Sequence, residues 1–205
     1  MSSKPILFNT EMVKAILDGR KTQTRRLIKN NKKGGLLENR GYFYRDKFSY
    51  NATNNFDDFG KNKIVKLCSK YQTGDILYVK EKSYFVDCDC QCPWQCSPQG
   101  WYATDEVSYS GIRCSVETIP SIHMRKEHAR IFLKVTNVRV ERLQDISVRD
   151  IEKVTGWRRE IYSYSNKNKA FFKDYRDFWN STAKDGYKWE DNPYVFVYEF
   201  ERIKK

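Results

Sequence analysis

The chain has 205 residues, the length of one domain or at most two small ones. It carries 38 Lys and Arg against 26 Asp and Glu, a formal net charge of +12, together with 14 Tyr, 12 Phe and 5 Trp. This aromatic content excludes a disordered chain, and no apolar run approaches the ~20 residues that a membrane helix needs. The N-terminus lacks the apolar core of a signal peptide. We therefore expect a cytoplasmic globular protein without a membrane partner, for which nucleic acid is the leading class of acidic partner.

The first predicted helix begins at Asn9 or Thr10, since both residue types are good N-caps. Gly19 is placed to end it in the left-handed conformation. The apolar positions between them recur at helical spacing, namely Met12, Val13, Ile16 and Leu17. The pattern predicts a short helix, followed by a turn that leads into a strand.

The later elements alternate between strands and helices. Apolar and β-branched patterns predict strands over 76–86, 129–142 and 194–203. Asp145 or Ser147 is expected to cap a helix that ends near Gly156, and an aromatic stripe over 169–181 predicts a second helix that packs into the core. This order favours one α+β domain around a small barrel.

Four of the six cysteines crowd into nine residues: Cys88, Cys90, Cys92 and Cys96. Four thiolates are a ligand set for tetrahedral structural zinc. Alternate residues of an extended strand lie ~7 Å apart, so the segment must fold back for the thiols to converge. Because the spacing is not a paired C-x2-C, reduced thiols in an insertion loop remain the alternative. Cys114 or His123 would be substitute ligands.

A basic block runs from Arg20 to Lys33 and holds seven basic residues and no acidic one. Arg20, Lys21, Arg25 and Arg26 are expected to form a solvated basic edge that touches phosphates. A second interpretation concerns Lys21, because neighbouring arginines favour its neutral amine. If the chain bends after it, Lys21 would activate the hydroxyl of Thr24 as a nucleophile.

Four segments resemble the ASCH domain and occur in that family's order. The most specific is Ile-Leu-Asp-Gly-Arg-Lys-Thr-Gln-Thr-Arg-Arg at 16–26, and the others lie at 73–81, 135–147 and 194–200. Pro-Ser-Ile-His-Met at 120–124 resembles the versions that bacteriophages and prophages encode. The resemblance implies a single domain with a PUA-like small mixed β-barrel and flanking helices. Insertions would then fall at about 30–71, 87–119 and 157–190.

A bacterial subgroup of this family hydrolyses the acetamide of N4-acetylcytidine with a lysine, a threonine and a glutamate. The resemblance places the first two on Lys21 and Thr24. Val154 stands at the glutamate position, or Thr155 if Gly156 sets the register. Glu152 or Glu81 would then have to supply the carboxylate.

The leading hypothesis is a module that binds nucleic acid or a nucleoside, recognising RNA, DNA or a modified base. Its contacts would be Arg20, Lys21, Arg25 and Arg26, with aromatic rings stacking on the base. It requires no cofactor, although a structural zinc remains open.

Two alternatives come from other classes. One is an amidohydrolase with Thr24 as nucleophile, Lys21 as activator and Glu81 assisting. The other is a phage-encoded protein that binds a host protein through its insertions, in the host bacterial cytoplasm.

Overall fold

Helix α1 (Thr10–Leu17) begins and ends as the sequence predicts. Asn9 caps it, since its side-chain oxygen accepts the Met12 N–H at 2.8 Å. Gly19 follows with φ +73°, a conformation that a β-carbon disfavours. A short strand, β2 (Gln23–Leu27), comes directly after the turn.

The structure is a computed structural model that describes residues 3–28, 69–86, 99–104, 116–158 and 167–203. Its contacts divide the chain into two compact units. The first unit comprises Met1–Lys21, Asp75–Lys134 and Glu201–Lys205, and the second comprises Thr22–Gly74 and Val135–Phe200.

In the first unit, β1 (Ser3–Leu7) runs parallel to β3 (Ile76–Lys80). On its other side, β3 pairs antiparallel with the beginning of β7 (Phe132–Arg142). The sequence pattern does not predict β1. Its Pro5 donates no hydrogen bond, and an edge position in the order β1-β3-β7 tolerates that.

A second sheet in this unit has the order β5-β4-β6, with β4 (Ser83–Val86) between β5 (Gln99–Tyr102) and β6 (Val116–Ile119). The prediction of one strand over 76–86 is therefore wrong, because the chain leaves one sheet after Lys80 and enters the other at Ser83. Glu81 lies at the break between the two strands. It is buried, as Leu77 and Val79 are, but its side chain carries a carboxyl group.

The second unit has the strand order β7-β8-β2, where β8 (Tyr194–Arg202) runs antiparallel to β2. Helices α2 (Val148–Thr155) and α3 (Lys167–Thr182) contact one another. The aromatic stripe of α3 is buried as predicted, in a core made of Leu143, Ile146, Ile151, Val154, Phe171, Tyr175, Trp179, Val195 and Val197.

These elements confirm an α+β fold with a mixed sheet. The strand pairings within the described ranges do not form a closed barrel. None of the helices in those ranges is long and apolar enough to cross a membrane.

Helix α2 allows the predicted caps to be tested. Ser147 caps it in a reciprocal capping box with Asp150, whereas Asp145 lies in the turn before it. We expect Ser147→Ala to lower the free energy of unfolding by about 1 kcal/mol because the orphan amide loses its acceptor. Asp145→Ala is expected to change it by less than about 0.5 kcal/mol, as for other exposed sites. Urea unfolding measures both, and equal losses would contradict the assignment of the cap.

Candidate functional site

Two parallel strands of the first unit end side by side. The β1–β3 pairing runs up to Leu7 opposite Lys80. Continuing this register by one residue aligns Phe8 with Glu81. Both side chains are buried, with 4 % and 1 % exposed. The carboxyl ends of parallel strands are a common location for ligand sites, which makes this end of the sheet a candidate site.

Lys21 lies beside Phe8. Its backbone N–H donates to the Ala15 carbonyl at 3.0 Å, which closes the turn after α1. The side chain is buried, and its Nζ atom lies 5.1 Å from the centre of the Phe8 ring. This distance is within the range of a cation–π interaction. The turn therefore places the predicted lysine in the first unit, at the end of β1.

Glu81 is held by a bidentate pair with Arg130. The arginine donates from Nε to Oε1 and from Nη2 to Oε2, each at 3.1 Å. The hydroxyl of Thr104 donates to Oε2 at 3.4 Å. A buried carboxylate is costly unless it is paired and hydrogen-bonded. Both requirements are met, and the fork of Arg130 is fixed in one orientation.

The same guanidinium lies over an aromatic ring. Its Cζ atom is 3.8 Å from the centre of the Tyr102 ring, and 32 % of the Arg130 side chain is exposed. The Tyr102 hydroxyl in turn donates to the His128 carbonyl. Arg130 and Tyr102 thus form a fixed, partly exposed platform. We call it the Arg–Tyr platform.

Sequence reasoning missed this platform. Glu81 and Arg130 are 49 residues apart, and Tyr102 lies in a segment that the resemblance predicts to be an insertion. The available signal was Glu81 itself, an acidic residue inside the apolar pattern of 76–86, because a buried carboxylate requires a basic partner elsewhere.

In the second unit, Arg25 belongs to a buried polar network. None of its side chain is exposed, and Nη2 lies 2.7 Å from Glu141 Oε2 and 3.9 Å from Asp150 Oδ2. The Gln23 amide donates to Asp150 at 3.2 Å and to Glu199 at 3.3 Å. The network connects β2 to β7, β8 and α2. The positive charge of Arg25 is therefore paired inside the protein and is not exposed on its surface.

The remaining residues predicted for the site are divided between the two units. Thr24 is buried on β2, opposite Tyr198, in the second unit. Arg26 lies two residues on and is exposed. Arg20, in the first unit, pairs with Asp18 at 2.7 Å. Of the predicted catalytic residues, the first unit therefore holds Lys21 and Glu81, and the second holds Thr24.

The helix position that the resemblance assigns to a glutamate is apolar and packed. Val154 is 5 % exposed and belongs to the core of the second unit. The neighbouring Thr155 donates its hydroxyl to the Ile151 carbonyl at 2.7 Å. Glu152 is partly buried on the same helix. Neither Val154 nor Thr155 provides a carboxylate.

The predicted zinc ligands Cys88, Cys90, Cys92 and Cys96 lie outside the described residues, as does the substitute Cys114. The other substitute, His123, is exposed in a short 3-10 turn. Among the residues that the structure describes, no group of three or more His, Cys, Asp or Glu is arranged to hold a metal. A zinc site in the cysteine segment stays a prediction.

Two carboxyls of the buried network have lowered pKa values. Burial acts to raise the pKa of Asp150, but hydrogen bonds from Ser147 and Gln23 and the charge of Arg25 outweigh it. Burial likewise acts to raise the pKa of Glu199, and hydrogen bonds from Arg139 and Gln23, with the charge of Arg139, outweigh it. Both carboxylates are stabilised in their ionised form by folding.

This gives a pH dependence of stability. A carboxyl with a depressed pKa in the folded state stabilises the protein above its unfolded-state pKa and loses that contribution as pH falls through its folded-state pKa. We expect the free energy of unfolding to fall on acidification from the usual values, 3.8 for Asp and 4.5 for Glu, downward.

The matched variants are Asp150→Asn and the exposed Asp145→Asn. Urea unfolding from pH 7 to pH 3 should show a smaller acid-dependent loss for Asp150→Asn and an unchanged loss for Asp145→Asn. Wild-type pH dependence retained in Asp150→Asn would show that this carboxyl is not part of the effect.

In comparisons with known proteins, no family model, no curated protein and no solved structure matches the chain.

Proposed function

We propose that this chain binds nucleic acid or a nucleoside, as its resemblance to the ASCH family implies, and that its sheet belongs to a PUA-like barrel. The observation that carries the proposal is the Arg–Tyr platform. The Arg130 guanidinium lies over the Tyr102 ring, donates two hydrogen bonds to the buried Glu81 carboxylate, and belongs to a side chain of which about a third is exposed.

This arrangement suits the chemistry of a nucleotide. Bases stack on aromatic rings and on guanidinium planes, and such stacking tolerates any base because each has a π-face. A guanidinium also matches the geometry of phosphate oxygens, which an ammonium does less well. Because Glu81 has already fixed the orientation of Arg130, little conformational freedom is lost when a ligand arrives.

The chain's positive charge supports the same class of partner, but through fewer residues than the sequence indicates. Arg25 is buried against Glu141, so we place the contact at Arg130 and not at Arg25. Lys21 is also buried, beside Phe8 at the strand ends. A side chain that is 2 % exposed adds little to the long-range attraction of a polyanion.

The variant that tests the platform is Arg130→Lys, which keeps the charge and an ion-pair partner for Glu81 but removes the planar group. We expect affinity for a fluorescent 12-nucleotide single-stranded RNA or DNA to fall by about fivefold or more, since stacking contributes ~1–3 kcal/mol per base. Fluorescence anisotropy at 50 mM salt measures it.

Arg149→Lys is the control, because Arg149 is an exposed arginine on α2 and the substitution also conserves charge. It is expected to bind like the wild type. The proposed function is rejected if the wild-type chain binds neither RNA nor DNA at this salt concentration. Equal affinities of wild type and Arg130→Lys would remove the platform from the binding site.

A second candidate function is the hydrolysis of an N4-acylated cytidine, favoured by the burial of Lys21 and Glu81. In this reaction, as the resemblance implies, a threonine hydroxyl attacks the acetyl carbonyl and passes its proton to a lysine, and the resemblance assigns these two roles to Thr24 and Lys21. The C–N bond breaks, the cytidine amino group leaves with that proton, and water then releases acetate from the threonine ester.

Incubation with N4-acetylcytidine, followed by chromatography, tests this candidate. We expect cytidine and acetate to form with the wild type and to be absent with Thr24→Ala and with Lys21→Ala. Activity that survives both substitutions would exclude these residues, and no product from the wild type would exclude the reaction on this substrate.

A further inference from the structure

Residues 120–130 are fastened across the point where β3 gives way to β4. The Lys80 ammonium donates to the Ile122 carbonyl at 2.5 Å, and the Glu81 N–H lies 3.1 Å from the Met124 sulfur. The hydroxyl of Tyr102 reaches the His128 carbonyl. At the end of the segment, Arg130 makes its bidentate pair with Glu81.

These contacts leave the intervening cations facing solvent. The segment forms two short 3-10 turns, Ser121–His123 and Lys126–His128. Met124 is buried between them, while Arg125 and Lys126 are exposed. Lys82 is exposed directly after Glu81, whose N–H contacts Met124. Arg125 and Lys126 are therefore presented by a segment that is held in place on both sides, while Lys82 belongs to the adjoining β3–β4 turn, where its Nζ atom lies 5.0 Å from the centre of the Tyr84 ring.

We infer that Lys82, Arg125 and Lys126, named the basic strip, bind the phosphates of a single-stranded nucleic acid that has a base on the Arg–Tyr platform. This inference rests on the proposed function and adds to it the surface that takes the backbone. Arg130 connects the two parts, because it ends the fastened segment and lies on Tyr102.

Charge and position favour this partner. Phosphate contacts hold a nucleic acid in place without reading its sequence, whereas a stacking site engages its bases. A single strand presents both its phosphates and its unpaired base faces, while a duplex keeps its base faces stacked. Two exposed acidic side chains, Glu117 and Glu127, lie on the same part of the chain. Their negative charges weaken the long-range attraction of this surface for phosphates, so the proposed contacts are short-range ones between individual cations and phosphates.

The double variant Arg125→Gln/Lys126→Gln tests the strip, and Arg149→Gln/Lys153→Gln is its matched control. The control removes an arginine and a lysine that are both exposed on α2 in the second unit. Affinity for the 12-nucleotide single strand is measured by anisotropy over a range of salt concentrations. Each lost phosphate contact lowers the slope of log K against log salt by about 0.7 for a single strand.

We expect the strip variant to show a slope shallower by about 1.4 and an affinity about tenfold weaker at 50 mM salt, to the same extent for different sequences. The control loses the same net charge but no proposed phosphate contact, so its slope is expected to stay close to that of the wild type. Equal slopes for the strip variant and its control would overturn the inference.

The two proposals fail in different ways. The strip is wrong, while the proposed function stands, if wild type binds, Arg130→Lys weakens binding, and the strip variant behaves as its control. If the wild-type chain binds no single strand at 50 mM salt, the proposed function is rejected and the strip with it.

Discussion

The ion pair between Glu81 and Arg130 is the interaction on which the candidate site depends. Glu81 is 1 % exposed, so as an ion it requires a partner of opposite charge, and Arg130 supplies two aligned hydrogen bonds. Removing one member of such a pair leaves an uncompensated buried charge, at a cost of about 3 kcal/mol or more. The pair also fastens residues 120–130 to the end of β3 and fixes the guanidinium on Tyr102. One contact thus joins the stability of this region to the geometry of the platform.

Much of the fold is predictable from local signals. Helices α1 and α2 begin and end where cap chemistry predicts, α1 between Asn9 and Gly19 and α2 between Ser147 and Gly156. The aromatic stripe of α3 lies in the core. The predictions fail where tertiary pairing decides. An apolar alternation over 76–86 carries no sign that its two halves belong to different sheets. Strand β1 is short and contains Pro5, so only its pairing with β3 identifies it as a strand.

The site is predictable only in part, because a pattern of charged residues in the sequence does not show which of them are buried. The basic block from Arg20 onward reads as one positive surface, yet Arg25 is wholly buried against Glu141 and Lys21 is buried beside Phe8. Gln23, Thr24 and Arg25 are consecutive on β2 and all three are buried, so both faces of the strand are covered there, and an alternation of faces does not predict this. The Arg–Tyr platform was missed for the opposite reason. Arg130 and Tyr102 are distant in sequence from one another and from Glu81, and neither lies in a segment that resembles the ASCH family.

The central proposal is that Arg130, rather than Arg25, contacts the nucleic acid. Nitrogen-15 NMR of the arginine Nε–H groups tests it most directly, with assignments from Arg130→Lys and Arg25→Lys. On titration with a 12-nucleotide single strand, the account predicts a progressive shift of the Arg130 resonance and an unchanged Arg25 resonance. A shift of Arg25 with Arg130 unchanged at saturation would contradict it.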